Sequence, residues 1–349
     1  MAGPDLAALS ERFRRFGERE CVTSPLYQQL CFGVAADLEV LKLASHTPPG
    51  QPAPNLLFAA AKYLAASDSA LAALYAQAAS SALSGDPYPV FRRFVLRNAD
   101  AVVRLMSARR VQTNEARRAL FLLAGLSEIA RRIDSEPFNL VEIGASAGLN
   151  LLWQRYGYDY GGQAQLGLHD APLVLRTEVR GTLPPVGADF PAIIRQVGIA
   201  LHPLDPMRPD DRQWLRALVW PEHVERIANL NAALSLARVH PPTLLAGDAL
   251  DLLPELFATM PADEPVVVFH SFVLYQFTDT MRGQLDALLG TQARPVYRLG
   301  VEWEQVAATI RLYTYTHPGM TDEILAHVEP HGSWIDWIHP GSSRPPSSL

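Results

Sequence analysis

The apolar positions along this chain change their period near residue 138. Before it, hydrophobic residues recur three and four apart in segments rich in strong helix formers: "LAALSERFRRFGERE", "LYQQLCFGVAADLEVLKLA", "NLLFAAAKYLAA", "SALAALYAQAASSAL" and "YPVFRRFVLRNADAVVRLMSARR". The segment "HTPPGQPAPN" interrupts them as a loop. A further helix is expected over "EARRALFLLAGLSEIARRI", with Thr113 or Asn114 as its cap and Glu115 near its positive end. Residues 1–133 therefore read as an all-helical N-terminal domain.

From residue 138 short β-rich runs take over, "NLVEIG", "VGIAL", "PTLLAGD", "PVVVFHS" and "PVYRLGVE". Helical patterns separate them at 149–156, 210–237, 251–259 and 278–289. Such alternation implies a mostly parallel sheet covered by helices, an α/β class, for residues 134–349. At the C-terminal end, "TIRLYTYTHPG" and "LAHVEPHGSWIDWI" read as strands with no full crossover between them, which favours an antiparallel hairpin. Residues 157–195 are rich in Gly and Pro around one strand, "LVLRTEVRG", and read as an insertion; the tail "HPGSSRPPSSL" is expected to be loose.

Composition narrows the function classes. With 349 residues, 48% of them apolar, the chain can bury a substantial core. A formal charge of −6 gives no electrostatic reason to expect a nucleic acid or an anionic membrane. The two cysteines, Cys21 and Cys31, make no disulfide framework, and the scattered histidines lack metal-binding spacing, so no metal is expected. The charged N-terminus has no signal-peptide core and no apolar run reaches a membrane span; the expectation is a soluble, cytoplasmic protein. The oligomeric state is not legible.

The chemistry concentrates in "FNLVEIGASAGLNLLWQRYG", residues 138–157. It reads as strand, small-residue turn and amphipathic helix, with Leu149, Leu152, Trp153 and Tyr156 on one helical face. In an open parallel sheet a ligand sits beyond the carboxyl ends of the strands, where small residues let the backbone come close. Gly144-Ala145-Ser146-Ala147-Gly148 fails the G-x-G-x-x-G fingerprint of dinucleotide sites. A carboxylate before the turn, Glu142, suits a cationic ligand better than a pyrophosphate.

This turn resembles the first motif of S-adenosylmethionine-dependent methyltransferases, acidic-x-G-x-G-x-G, with Glu142, Gly144, Ser146 and Gly148 in register and Ser146 in place of the middle glycine. The resemblance implies a Rossmann-like methyltransferase-type fold and S-adenosylmethionine as cofactor. It further implies cofactor contacts from Glu142, Gly144, Ala145, Ser146 and Gly148, from Asp205 after the second strand, and from Asp248 and Ala249 after the third. His270, closing the fourth strand, and Tyr275 after it would border the reaction centre. Five blocks, "QTNEARR", "VEIGASAGLNLLWQRY", "LHPLDPMRPDDRQWLRALVWPE", "GDALDLLPEL" and "VVFHSFVLYQF", also resemble an uncharacterised bacterial family, domain of unknown function 2332. That family's second strand commonly reads Gly-Leu-Asp-Leu, where this chain has Gly198-Ile199-Ala200-Leu201.

Several residues keep two readings. His270 is a general base or a hydrogen-bonded core histidine, and Tyr275 lines a substrate mouth or packs. Arg109, Asn114 and Glu115 grip an anionic small-molecule substrate, or form a helix turn with a capping asparagine. Ser146 also stands where the nucleophile of a G-x-S-x-G elbow would, with Asp248 or Asp251 and a later histidine such as His317 completing a serine hydrolase. A degenerate ligand-binding fold without activity is a third reading, favoured by Ala200.

Overall fold

A computed structural model describes residues 5–65, 70–167, 171–304, 307–316 and 319–338. In chain order, helices α1 (Leu6–Arg19), α2 (Pro25–Ala35), α3 (Leu38–Ala44), α4 (Ala53–Leu64), α5 (Ala70–Ala79), α6 (Tyr88–Arg97), α7 (Ala99–Ala108) and α8 (Arg118–Arg132) precede the first strand. Then come β1 (Phe138–Ile143), β2 (Gly157–Tyr160), β3 (Gln165–Leu166), β4 (Val174–Gly181) and β5 (Ile193–Ala200). Helices α9 (Pro209–Leu218) and α10 (Val224–Val239) lead to β6 (Leu244–Ala246), α11 (Ala249–Ala258), β7 (Val266–Ser271) and α12 (Asp279–Gly290). The chain closes with β8 (Val296–Glu304), β9 (Ala307–Thr316), β10 (Gly319–Val328) and β11 (Trp334–Trp337). No described helix is long and apolar enough to cross a membrane.

Two compact units result: residues 1–113 with 208–231, and residues 114–207 with 232–349. The first is helical. Its core is aromatic: Phe58 packs against Phe13, Tyr27 and Phe91, and Trp220 packs on Phe16 and Tyr27. Glu222 takes hydrogen bonds from the Ser24 hydroxyl (2.8 Å) and the Leu26 N–H (2.9 Å), so a carboxylate sits at the positive end of α2. Half-buried Lys62 donates to the carbonyls of Arg216 and Val219 at the end of α9, and desolvation pulls its amine down to about 8.

Local chemistry cuts three helices shorter than their apolar period suggests. Asp37 accepts from the N–H groups of Glu39 and Val40 and starts α3 afresh within 26–44. Asn98 leaves helical geometry (φ −109°, ψ 23°) and divides α6 from α7. Over 210–237, α9 stops at Leu218 and α10 restarts at Val224, with Pro221 between.

The second unit is a mixed α/β structure on a sheet ordered β3-β2-β4-β11-β10-β9-β8-β7-β1-β5-β6. Strands β6, β5, β1, β7 and β8 are mutually parallel; β8, β9, β10 and β11 then meander antiparallel, as the missing crossover helices require. The insertion holds β2 and β3 besides the expected β4, and β4 pairs parallel with β11. Chain order runs from β1 outward through β5 and β6, then returns to β7 on the other side of β1, so strand order reverses at β1.

Pleating assigns the faces. Val141, Ile143, Val266, Val268 and Val296 join Leu253, Phe257, Leu285 and Leu289 of α11 and α12 in one core cluster. Alternate residues point the other way, where α8 crosses; a Cβ on Gly125 of α8 would overlap the side chain of Leu299. Residues 149–156, expected as an amphipathic helix, form a 3-10 turn (Leu149–Arg155) with Leu149, Leu151, Leu152 and Trp153 all buried. Tyrosine hydroxyls take the carbonyls a longer helix would use: Tyr156 donates to Leu149 O (2.7 Å) and Tyr158 to Trp153 O (2.6 Å).

Leu253 is fully buried between α11 and the sheet, whereas Val239 at the end of α10 is 71% exposed. Leu253→Ala is expected to lower stability by about 2–5 kcal/mol and Val239→Ala by less than about 0.5 kcal/mol. Urea unfolding followed by circular dichroism checks the contrast.

Candidate functional site

Strand order switches at β1, the place where an open parallel sheet holds its ligands, and the small-residue turn follows the carboxyl end of that strand. Gly144 and Gly148 hold positive φ (+76° and +69°), conformations that cost glycine little. The N–H groups of Gly144 and Ala145 both donate to the Ile199 carbonyl (2.8 and 3.0 Å), bending the chain over the end of β5. A Cβ at Gly144 would overlap Val273, and one at Gly148 would overlap Pro242, so both glycines already admit protein atoms closely. A substitution at either tests folding first. The ligand question has to be put to other side chains.

Ser146 also has a left-handed backbone (φ +53°), which a non-glycine residue holds only with help. Asn114 supplies that help: its amide N–H donates to the Ser146 hydroxyl (2.8 Å), and its carbonyl accepts from the Ala147 N–H (3.3 Å). Asn114 is therefore spent on the turn, and α8 begins four residues later without a side-chain cap. Glu115 beside it is buried, accepts from the Arg117 N–H (3.3 Å) and lies 3.6 Å from His331. Arg109 belongs to the helical unit, where it pairs with Asp211 and its guanidinium lies 5.9 Å from the Trp214 ring. The three residues expected to grip a substrate are thus engaged in separate local structures.

Around the turn stand the other expected cofactor residues. Leu204 N–H donates to the Ser146 carbonyl (3.2 Å) and ties the loop after β5 to the turn; Asp205 follows it, exposed, accepting from Met207 N–H. Gly247 N–H donates to the Ala200 carbonyl (3.0 Å), which sets Asp248 and Ala249 beside the end of β5. Asp248 caps α11 through the Leu250 N–H (2.8 Å), and Ala249 is buried.

Glu142 is the unusual group. It is buried on the α8 face of β1, and one oxygen accepts from the Asn150 amide at 2.7 Å. Its other oxygen, and the Asn150 carbonyl oxygen, are buried acceptors with no hydrogen-bond partner among the described residues. Burial raises the Glu142 carboxyl to about 7, opposed by the Asn150 hydrogen bond and by the charge of Arg118. Two idle acceptors side by side ask for a donor, and a cationic donor most of all.

His270 lies on the opposite face, with Val266 and Val268. Its Nδ1 is 2.9 Å from Glu302 and its Nε2 3.5 Å from Arg298; burial pulls the imidazole below its usual value, against the pull of Glu302. The same Glu302 oxygen accepts from the N–H groups of Val273 and Leu274 (2.9 and 3.0 Å), fixing the loop beyond β7. Arg298 in turn bonds Tyr315 and Asp286, both at 2.8 Å. Tyr275 follows on that loop, 69% exposed. Sequence reasoning missed Asn150, Arg298 and Glu302. The last two left a signal, charges four apart within an apolar strand and hence on one face.

For the hydrolase reading, Ser146 bonds an amide that cannot act as a base, Asp248 is a helix cap, and His317 lies outside the described residues. Among the described residues no His, Cys, Asp and Glu cluster is placed to hold a metal ion.

Comparison with known proteins gives one family. The bacterial family described as "Uncharacterized protein conserved in bacteria (DUF2332)" matches residues 10–337. No curated protein matches the chain.

The buried carboxylate makes a pH-dependent prediction for the ligand-free protein. The folded-state value of Glu142 is raised from 4.5 to about 7, so its favourable share of stability is complete below pH 4.5 and is lost as pH rises through 7. Glu142→Gln escapes that loss. Its stability relative to wild type is expected to rise by about 3 kcal/mol between pH 4.5 and 8, at about 1.4 kcal/mol per unit. Denaturation across this range measures the difference; equal values at pH 5 and pH 8 would show that the charge is not desolvated.

Proposed function

The chain belongs to that bacterial family, and we propose that it is an S-adenosylmethionine-dependent methyltransferase acting on a small molecule. The observation that carries the reading is the pair of unpartnered buried acceptors, Glu142 and Asn150, behind a small-residue turn at the point where strand order reverses. The parallel strands β6-β5-β1-β7-β8 follow the 3-2-1-4-5 order of a doubly wound sheet, which supports a Rossmann-like reading. When bound, the cofactor supplies an electrophilic methyl group on a sulfonium.

The chain's own residues divide the work as follows. Glu142 and Asn150 offer acceptors to a cationic donor, and the carboxylate meets positive charge in a site of low dielectric. Ser146 keeps the turn's left-handed bend in place of a middle glycine, with Asn114 holding it. Asp248 and Ala249 flank the turn from the end of β6; with Ala200 closing β5, Asp205 is the carboxylate nearest along the chain after that strand. His270 acts through Glu302, which holds the loop after β7. Transfer to an acceptor that is already nucleophilic needs alignment more than a base.

A serine hydrolase is the second reading, favoured by the strained φ of Ser146. Ser146→Gly separates the two, because glycine keeps the turn while removing the hydroxyl. Under the methyltransferase reading Ser146→Gly still binds S-adenosylhomocysteine in a calorimeter, and a fluorophosphonate labels neither protein. Labelling of the wild type at Ser146 would establish the hydrolase instead. Wild-type protein that binds neither S-adenosylmethionine nor S-adenosylhomocysteine at millimolar ligand refutes the proposal.

A carboxyl near 7 that must ionise to hold a cation links binding to pH. Affinity for S-adenosylmethionine is expected to rise more than tenfold, roughly, from pH 5.5 to 7.0 in the wild type and to stay flat in Glu142→Gln. Calorimetric titration at both pH values checks this.

A further inference from the structure

Three consecutive residues of the loop between β10 and β11 touch the chain where it enters α8. The Pro330 carbonyl accepts from the Arg118 Nε–H (3.2 Å). His331 turns Nδ1 towards Glu115, 3.6 Å from a carboxylate oxygen, a charge contact longer than a hydrogen bond. Gly332 lies so close to Arg117 that a Cβ would stand 2.6 Å from that side chain. Strand β10 runs in the direction of β1, because β1, β7 and β8 are parallel and two antiparallel pairings follow. The loop after β10 is therefore at the same end of the sheet as the small-residue turn.

This loop is held in shape from within. Glu329 accepts from the His331 N–H (2.9 Å), the Ser333 N–H (3.1 Å) and the Ser333 hydroxyl (3.0 Å), and its carbonyl accepts from the Gly332 N–H (2.8 Å). Gly332 takes the positive φ (+83°) that the bend requires. On this frame His331 has a side chain 39% exposed, yet its Nδ1 is sealed from solvent and faces Glu115, which is 2% exposed. With a proton on Nδ1 the ring directs an N–H at a carboxylate shielded from water, where charge attraction is stronger than at an open surface.

The segment so clasped carries two residues of the site. Asn114, next to Glu115, holds the Ser146 hydroxyl and the Ala147 N–H. Arg118 supplies the charge that opposes the burial of Glu142. Residues 114 and 115 lie ahead of the helix, so its hydrogen-bond ladder does not fix their course.

We propose that the Glu115–His331 contact positions the cofactor turn: His331 fixes Glu115, and through it the Asn114 that holds Ser146 and Ala147. His331 acts through other residues and is a positioning residue. As a determinant of cofactor affinity it rests on the methyltransferase reading. As a brace of the turn it stands on the contacts alone.

The test follows amide hydrogen exchange of the full-length, ligand-free protein by NMR. In His331→Ala the Ala147 N–H, whose acceptor is the Asn114 carbonyl, is expected to exchange about fivefold faster, the scale of one charge contact, with the β1 amides unchanged. His331→Asn, whose side-chain amide stands near the place of Nδ1, should return that rate to within about twofold of wild type. Calorimetry should show S-adenosylhomocysteine affinity about threefold weaker in His331→Ala. Adding His331→Ala to Asn114→Ala should cost nothing further, since the one acts through the other. Unchanged Ala147 exchange, acceleration shared equally by β1, no recovery in His331→Asn, or additive losses of affinity in the double variant each overturn the proposal. Faster Ala147 exchange that His331→Asn restores, in a protein that binds no S-adenosylhomocysteine, sustains the brace and overturns the methyltransferase reading instead.

Discussion

The sheet unit hangs on β1. Its six residues are buried, and both of its edges are taken by parallel partners, β5 and β7. A strand so placed has no solvent to satisfy a polar side chain, and its residues should be apolar. Two residues break that rule: Asn139, which donates to Glu264 (2.8 Å), and Glu142, at the point where the turn begins. Leaving a carboxylate in that position costs stability unless something cationic or a proton keeps it company. Glu142 is thus the more informative of the two exceptions.

Two polar devices hold the loops around that exception. From the α8 side, Asn114 binds the turn itself, reaching both the Ser146 hydroxyl and the Ala147 N–H. From the α12 side, Glu302 gathers His270 and two backbone N–H groups onto one oxygen. Burial of Glu302 opposes its ionisation, yet those three donors pull the carboxyl below its usual value, so it remains a charged anchor. Arg298, stacked 3.6 Å from the Tyr313 ring and bonded to Asp286 and Tyr315, braces the same face. Loops braced this way are held from several sides at once, the arrangement by which a scaffold fixes side-chain positions.

Much of this was legible in the chain. The change of apolar period at residue 138 marked the boundary between helices and alternating elements, and each of the five parallel strands overlaps the run that predicted it, with β5 starting four residues earlier and β8 ending two later. The C-terminal strands were readable as antiparallel from their short connections. What misled was chemistry hidden inside periodic segments. Asp37 and Asn98 end helices that hydrophobic spacing would continue, and tyrosine hydroxyls shorten the turn after Gly148 by taking its carbonyls.

The sequence by itself determined the small-residue turn, the acid before it and the order of elements that brings further loops to the same end of the sheet, because these depend on local backbone preference and burial. Tertiary structure alone decided the partnerships. Asn114 and Ser146 are 32 residues apart and His270 and Glu302 are also 32 apart, so no local pattern encodes their meeting. Periodicity reports which face of an element is buried, but not which distant polar atom waits there. That is why Asn114 looked like a helix cap and holds a turn, and why the idle oxygen of Glu142 becomes visible only once the sheet has closed around it.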